Sequence, residues 1–170
     1  MKALGKQPEF DEIYRLYAAD LYRYLLRLTG DSALAEDILQ DTMLKAFTGI
    51  DKFRGDCSMK TWLCTLARNL WRDHLKRAEN RNLPLEESWG IADGSDLESQ
   101  MADKAQAMAI HRLLHRLDEP YKEIFSLRIF AELSFREIGE VFGKTENWAR
   151  VSFFRAKKKL IEMMEQEDSK

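Results

Sequence analysis

The chain has 170 residues, of which 33% are charged, with a formal net charge of -2. This length suits one medium domain or two small ones, and no apolar run is long enough to span a bilayer. Eight Gly and three Pro leave little material for tight hairpins, and long stretches rich in Leu, Ala, Glu, Lys and Arg predict an all-helical chain.

The opening residues, MKALGKQPEF, lack the apolar core of a signal peptide, so a cytoplasmic protein with no direct membrane insertion is expected. The near-neutral total hides a partition. Residues 1–78 hold thirteen Lys and Arg against eleven Asp and Glu, residues 79–103 one against seven, and residues 104–164 twelve against eight. Two mildly basic blocks around an acidic connector are what two nucleic-acid-facing domains and a non-binding linker would look like. Cys57 and Cys64 need no disulfide in a reducing compartment, and their spacing to His74 matches no common zinc pattern. No metal and no cofactor is expected. His111 and His115, four apart, read as exposed.

Phe10, Ile13, Tyr14, Leu16, Tyr17, Leu21, Tyr24, Leu25 and Leu28 recur at three- and four-residue steps, predicting a core helix over residues 9–28 with its aromatics inside. Gly30 suits a left-handed C-terminal position, and Asp31 or Ser32 can cap the next helix, expected over residues 32–47 with Leu34, Ile38, Met43 and Phe47 buried. The other face of that helix carries Glu36, Asp37, Gln40 and Asp41, which pair poorly with DNA and suit a basic protein partner.

A polar loop with Phe53, Arg54, Gly55 and Ser58 then leads into a helix whose apolar stripe is Trp62, Leu63, Leu66, Leu70 and Trp71. Thr61, Thr65, Arg68, Asn69, Arg72 and Lys76 fall largely on its other side. Arg68, Arg72 and Lys76 are four apart, an edge that can track phosphates while the hydroxyls and the amide read bases. Residues 1–78 thus form one small domain. Periodicity stops over residues 79–101, an acidic linker expected to let the domains move, although Leu83, Leu85, Trp89 and Ile91 give it docking points.

A second domain is expected over residues 102–165, followed by a short tail at 166–170. Ala105, Met108, Ala109, Leu113 and Leu117 mark its first helix, and Pro120 opens a second carrying Tyr121, Ile124, Phe125, Leu127 and Ile129. Ser134 and Glu137 fit a capping box, Gly143 closes that short helix, and Thr145 caps the next. Two helices joined so tightly cross at a large angle, as in a helix-turn-helix. In the last helix Ala149, Phe153, Ala156 and Leu160 set the core phase. Asn147, Trp148, Val151, Phe154, Arg155 and Lys158 then face outward, with Arg150 and Lys157 on the flanks, a surface suited to a major groove.

These residues resemble the extracytoplasmic-function group of the sigma-70 family of RNA polymerase sigma factors. The resemblance rests on Leu34-Ala35-Glu36-Asp37-Ile38-Leu39-Gln40-Asp41, Phe53-Arg54-Gly55-Asp56 with Thr61-Trp62-Leu63, Leu133-Ser134-Phe135-Arg136-Glu137-Ile138-Gly139, and Arg155-Ala156-Lys157-Lys158-Lys159-Leu160. It implies an alternative sigma factor that binds core RNA polymerase, recognises -35 and -10 elements and promotes melting, with no catalysis of its own. Glu36, Asp37, Gln40 and Asp41 would meet the clamp helices of the largest subunit, and the flap of the second-largest subunit would be a further contact. Phe53, Arg54, Ser58, Thr61, Thr65 and Asn69 would handle the -10 non-template strand, with Arg68, Arg72 and Lys76 on its backbone. Ser134, Lys144, Asn147, Trp148, Arg150, Val151, Phe154, Arg155 and Lys158 would meet duplex -35 DNA. Ser152 and Trp148 depart from residues common in the family, which often has a basic side chain and Thr there. An anti-sigma factor is an implied partner. A stand-alone duplex-binding regulator would explain the helix-turn-helix but not the first block, and an enzyme using Glu36, Asp37, Asp41 and His74 lacks the second half of a site.

Overall fold

The computed structural model describes residues 10–80 and 109–169, and the regular structure among them is helical. Residues 81–101 of the expected linker, with Ala105 and Met108, lie outside the described residues, while residues 79 and 80 belong to the helix before it. Helices α1 (Phe10–Thr29), α2 (Ser32–Gly49) and α3 (Met59–Asn80) form the first unit, with a short 3-10 turn at Ile50–Lys52. Helix α4 is described over residues 109–116, followed by α5 (Tyr121–Ile129), α6 (Phe135–Phe142) and α7 (Glu146–Asp168), which runs three residues into the stretch expected to be a tail.

The helix ends follow local chemistry. Gly30 adopts φ +69°, and the Asp31 carboxylate accepts the amides of Ala33 and Leu34 at 2.9 and 3.4 Å. Ser134 Oγ accepts the Glu137 amide at 3.1 Å, Gly143 turns left-handed at φ +66°, and Thr145 Oγ1 accepts the Trp148 amide at 3.1 Å. The turn between α6 and α7 is so close that a methyl group on Gly139 would lie 2.8 Å from the Lys144 carbonyl oxygen and 2.9 Å from that of Thr145. Since backbone has to move to admit it, Gly139→Ala is expected to destabilise the protein by about 1–3 kcal/mol. A lowered thermal midpoint by circular dichroism checks this.

The side chains expected inside are mostly there, with exceptions at the helix edges. Tyr14, Leu16, Phe47 and Ile129 are exposed rather than core, and Ala109 is exposed as well. In α1 the neighbours α2 and α3 cover only the Ile13, Tyr17, Leu21 and Tyr24 side of its first turns, and Phe47 sits on the rim with its ring edge-on to Phe10 at 5.2 Å. The two histidines also differ from expectation. His111 is buried and His115 half-buried, their rings 4.7 Å apart, and both lie against Gly30 in the α1–α2 turn.

That contact belongs to a larger one, because the two units are docked. One core runs from Tyr24, Leu25 and Leu28 of α1 and Ala67 of α3 into Ile124, Leu127, Leu133 and Ile138 of the second unit. Each such aliphatic side chain contributes on the order of 1.5–3 kcal/mol by leaving water. A second cluster, Leu113, Leu114, Leu117, Ala156 and Leu160, closes the far side where α4 packs on α7.

Candidate nucleic-acid interface

The acidic face of α2 is built as expected. Glu36, Asp37, Gln40 and Asp41 are all exposed, and none forms an ion pair among the described residues. Beside them Tyr14, Ala18, Tyr22 and Leu39 line a surface groove bordered by Glu36 and Gln40. An apolar strip with an acidic border fits an amphipathic basic helix.

The α3 set expected to face a strand divides in two. Arg54, Asn69, Arg72 and Lys76 are exposed, Gly55 turns the loop at φ +78°, and Phe53 lies against Trp62 with ring centroids 5.0 Å apart. Thr65 is half-buried and its hydroxyl donates to the Thr61 carbonyl at 2.8 Å. Thr61 and Arg68, by contrast, do not face solvent. Thr61 is buried, and its hydroxyl donates to Glu137 Oε2 at 3.0 Å, with Ser58 Oγ 3.2 Å from the same oxygen. The Arg68 side chain is 13% exposed, its Nε 2.9 Å from Glu123 Oε2 and its guanidinium 4.3 Å over the Phe142 ring. The α3 stripe is therefore wider than its apolar residues suggest, because α5 and α6 cover one flank.

Glu123 and Glu137 thus hold residues of the first unit from the second. Glu137 was legible only as a cap, and in that role it departs from the usual box: Ser134 Oγ donates to its Oε1 at 3.0 Å, leaving Oε2 for Thr61. Glu123 carried a signal that the pattern alone left unread. It is buried, in phase with Leu127 on the core side of α5, where an acid needs a cation.

On α7, Asn147, Arg150, Val151, Phe154, Arg155 and Lys158 are exposed, while Ala149, Phe153, Ala156 and Leu160 are buried. Arg150 pairs with Glu146 at 3.1 Å within the helix. Trp148 is half-buried, its ring 5.3 Å from that of Phe142, so it supports the turn as much as it faces out. Lys144 is exposed; Ser134 is half-buried with its hydroxyl engaged in the cap. Ser152 is buried, so it is not part of the outward face of α7.

Elsewhere, His74 stacks on Trp71 at 5.9 Å, and burial pushes the Cys64 thiol up to about 12. No group of three metal-ligating side chains gathers among the described residues. Nor is any helix among them long and apolar enough to cross a membrane.

Two family models align with this arrangement: Sigma-70 region 2 over residues 13–81, and Sigma-70, region 4 over residues 107–160. The chain is 30% identical over 157 residues to the ECF RNA polymerase sigma factor SigM of Bacillus subtilis (strain 168), covering 88% of this chain and 91% of that protein. It is 27% identical to the RNA polymerase sigma factor YlaC of the same organism, covering 91% of each. Its backbone resembles that of the sigma factor RpoE from Bartonella quintana, solved with the anti-sigma factor NepR, at a TM-score of 0.74 over 92% of this chain and 96% of that one, with 23% identity. With both halves matched in order, and a relative at 30% identity aligned over most of its length, the chain belongs to the sigma-70 family of RNA polymerase sigma factors, in its ECF group.

Proposed function

We propose that this sigma factor divides its work among three faces, those on α2 and α7 exposed and that on α3 exposed at Asn69, Arg72 and Lys76 but covered at Thr61 and Arg68. The acidic face of α2 binds the clamp helices of the polymerase largest subunit through Glu36, Asp37, Gln40 and Asp41. The loop at residues 53–58 and the α3 residues Thr61, Thr65, Arg68, Asn69, Arg72 and Lys76 capture the unpaired -10 strand. The α7 face, with Arg150, Val151, Phe154 and Arg155, reads duplex -35 DNA, and Lys144, Asn147, Trp148 and Lys158 border it. The observation that carries the reading is on α7. Val151 and Phe154 stay exposed between cations on the second helix of a helix-turn-helix, where apolar side chains need a partner surface. Extracting a base costs a few kcal/mol, offset by stacking and edge hydrogen bonds in the receiving pocket.

The protein needs no covalent step of its own; binding energy opens the DNA and the polymerase does the chemistry. Contact with the flap of the second-largest subunit, action in the cytoplasm, and restraint by an anti-sigma factor belong to the same reading. Two solved structures that this fold resembles hold a bound partner, the sigma factor RpoE with the anti-sigma factor NepR and CnrH with the cytosolic domain of CnrY, and the first of these supports restraint of this kind.

Promoter opening tests it. The protein is mixed with sigma-free core polymerase and a candidate promoter bearing a fluorescent base analogue in the -10 element. Fluorescence is expected to rise only with both proteins present, and to rise about tenfold more slowly with Asn69→Ala, as befits loss of one charge-assisted or bidentate contact. Tight duplex binding by the protein alone, without opening or association with core polymerase, would favour a stand-alone regulator instead.

A further inference from the structure

The apolar residues of the linker, Leu83, Leu85, Trp89 and Ile91, belong to none of the three faces. The second unit, for its part, carries an apolar hollow away from the α7 face. Ile110 of α4, Ile129 of α5, and Ile161 and Met164 of α7 are 43%, 46%, 46% and 46% exposed around one groove of about 260 Å³, which Phe125 also lines. Lys157 is the single charged side chain along it, and it is exposed. Apolar side chains scattered singly over a surface need no explanation, whereas several gathered around one hollow mark a docking surface. This hollow is smaller than a usual small-molecule site and has few polar groups to orient a metabolite, so a side chain of a polypeptide suits it better.

We propose that the chain's own linker occupies this groove, with Trp89 as the anchor and Leu85 and Ile91 beside it. The inference is independent of the roles given to α2, α3 and α7. Position favours it first. Ile110 both lines the groove and lies in the first turn of α4, so the chain arrives from the linker at the groove itself. Nineteen residues separate Trp89 from Ala109, a length that spans up to about 65 Å and leaves ample chain to turn back. Composition favours it next. Trp89 is the largest apolar side chain among residues 81–108, and Trp is the residue type most given to anchoring a contact by filling a pocket. Charge favours it too: residues 79–103 hold seven acids to one base, and Glu86 and Glu87 lie two and three positions before Trp89, where they would approach Lys157 and Lys158. A second copy meeting groove to groove would instead set Lys157 against Lys157. The tether makes even a weak contact sufficient. At an effective concentration on the order of 1 mM, a contact with a Kd of about 0.1 mM is filled in about nine-tenths of the molecules. The groove is thus held rather than empty in the chain alone, and a partner whose apolar segment needs it has to release Trp89.

The test uses the full chain with 5-fluorotryptophan at its four tryptophans, followed by fluorine NMR. Trp89→Phe assigns the Trp89 line, and the same sample in urea gives its unfolded position. Trp71 is buried and Trp62 and Trp148 are half-buried, so their three lines report whether each variant keeps its fold. In the wild-type chain the Trp89 line is expected to stand clear of its unfolded position. Ile161→Glu with Met164→Glu, both exposed on α7, should return it most of the way there while the other three lines stay in place. Ile110→Gln, on α4, should do the same by a separate change, which keeps the test decisive if the α7 variant disturbs its helix. Leu44→Gln, exposed on α2 and outside the groove, should leave the line where it was. A wild-type line already at its unfolded position would overturn the proposal and leave the groove to a partner. A displaced line that ignores both groove variants overturns it as well, since Trp89 would then be docked elsewhere. A displacement that fades on dilution of the protein assigns the contact to the groove of a second copy and overturns the intramolecular form.

Discussion

Asp37→Lys combined with Asp41→Lys is expected to lower affinity for core RNA polymerase by about a hundredfold or more. The two residues stand one helical turn apart on the exposed face of α2, clear of the Asp31 cap that starts the helix. Neither forms an ion pair among the described residues, so reversing them removes nothing that holds the fold. Across a basic partner surface, each reversal replaces an attraction with a like-charge contact, which costs several kcal/mol in a close interface, and each 1.4 kcal/mol is a factor of ten. Competition for core polymerase against a labelled wild-type chain measures the loss. Glu162→Lys with Glu165→Lys, both on the exposed side of α7, is the charge-matched control and should compete normally. If the double reversal also competes normally, α2 is not the polymerase-facing helix.

Lowering the pH from about 6.5 to about 5 is expected to destabilise the protein by on the order of 2 kcal/mol, through His111 and His115. Burial, then His115, Arg27 and Lys122, holds His111 down to about 3, and burial with Lys122 holds His115 down to about 4. In an unfolded chain both return to about 6.5. With the folded values depressed, the unfolded chain binds more protons across this window. Stability is therefore full above about 6.5 and falls as the pH drops toward the folded values. Glu119 opposes this, since burial and then Glu123 raise its carboxyl to about 7, giving a contribution that is present at low pH and lost as pH rises through 7. Glu119 is exposed by surface area, so solvent screens much of that effect, and the two histidines outweigh it. The half-exposure of His115 is why the expected figure stays well below the full linkage of two groups. Urea midpoints at the two pH values measure the effect, and His111→Gln should flatten the profile. A wild-type profile already flat would mean that both rings titrate as if in water.

What was legible in the sequence was what is decided locally. Gly30, Asp31, Ser134, Gly143 and Thr145 act on amides and dihedral angles a few residues away, so their positions set helix ends without any knowledge of the fold. The α7 phase was legible for a related reason, because small Ala149 and Ala156 alternate with large Phe153 and Leu160 on one side only. The edges were not, since whether Tyr14 or Phe47 is covered depends on which neighbour arrives and at what angle. Least legible was the pairing of Arg68 with Glu123. A cation on a polar face and an acid in an apolar stripe look like a surface residue and an anomaly until the two stripes are brought together across 55 positions of sequence.

The core that runs through both halves also governs how the molecule is kept. Ile124, Leu127, Leu133 and Ile138 are fully covered with the halves together, and some of that apolar surface would meet water if either half were removed. Exposed patches of this kind adhere to one another or to other proteins unless a specific partner covers them. Each half is thus the other's cover: a fragment carrying only one of them would have a new apolar surface to hide, and should aggregate at concentrations where the whole chain stays dispersed.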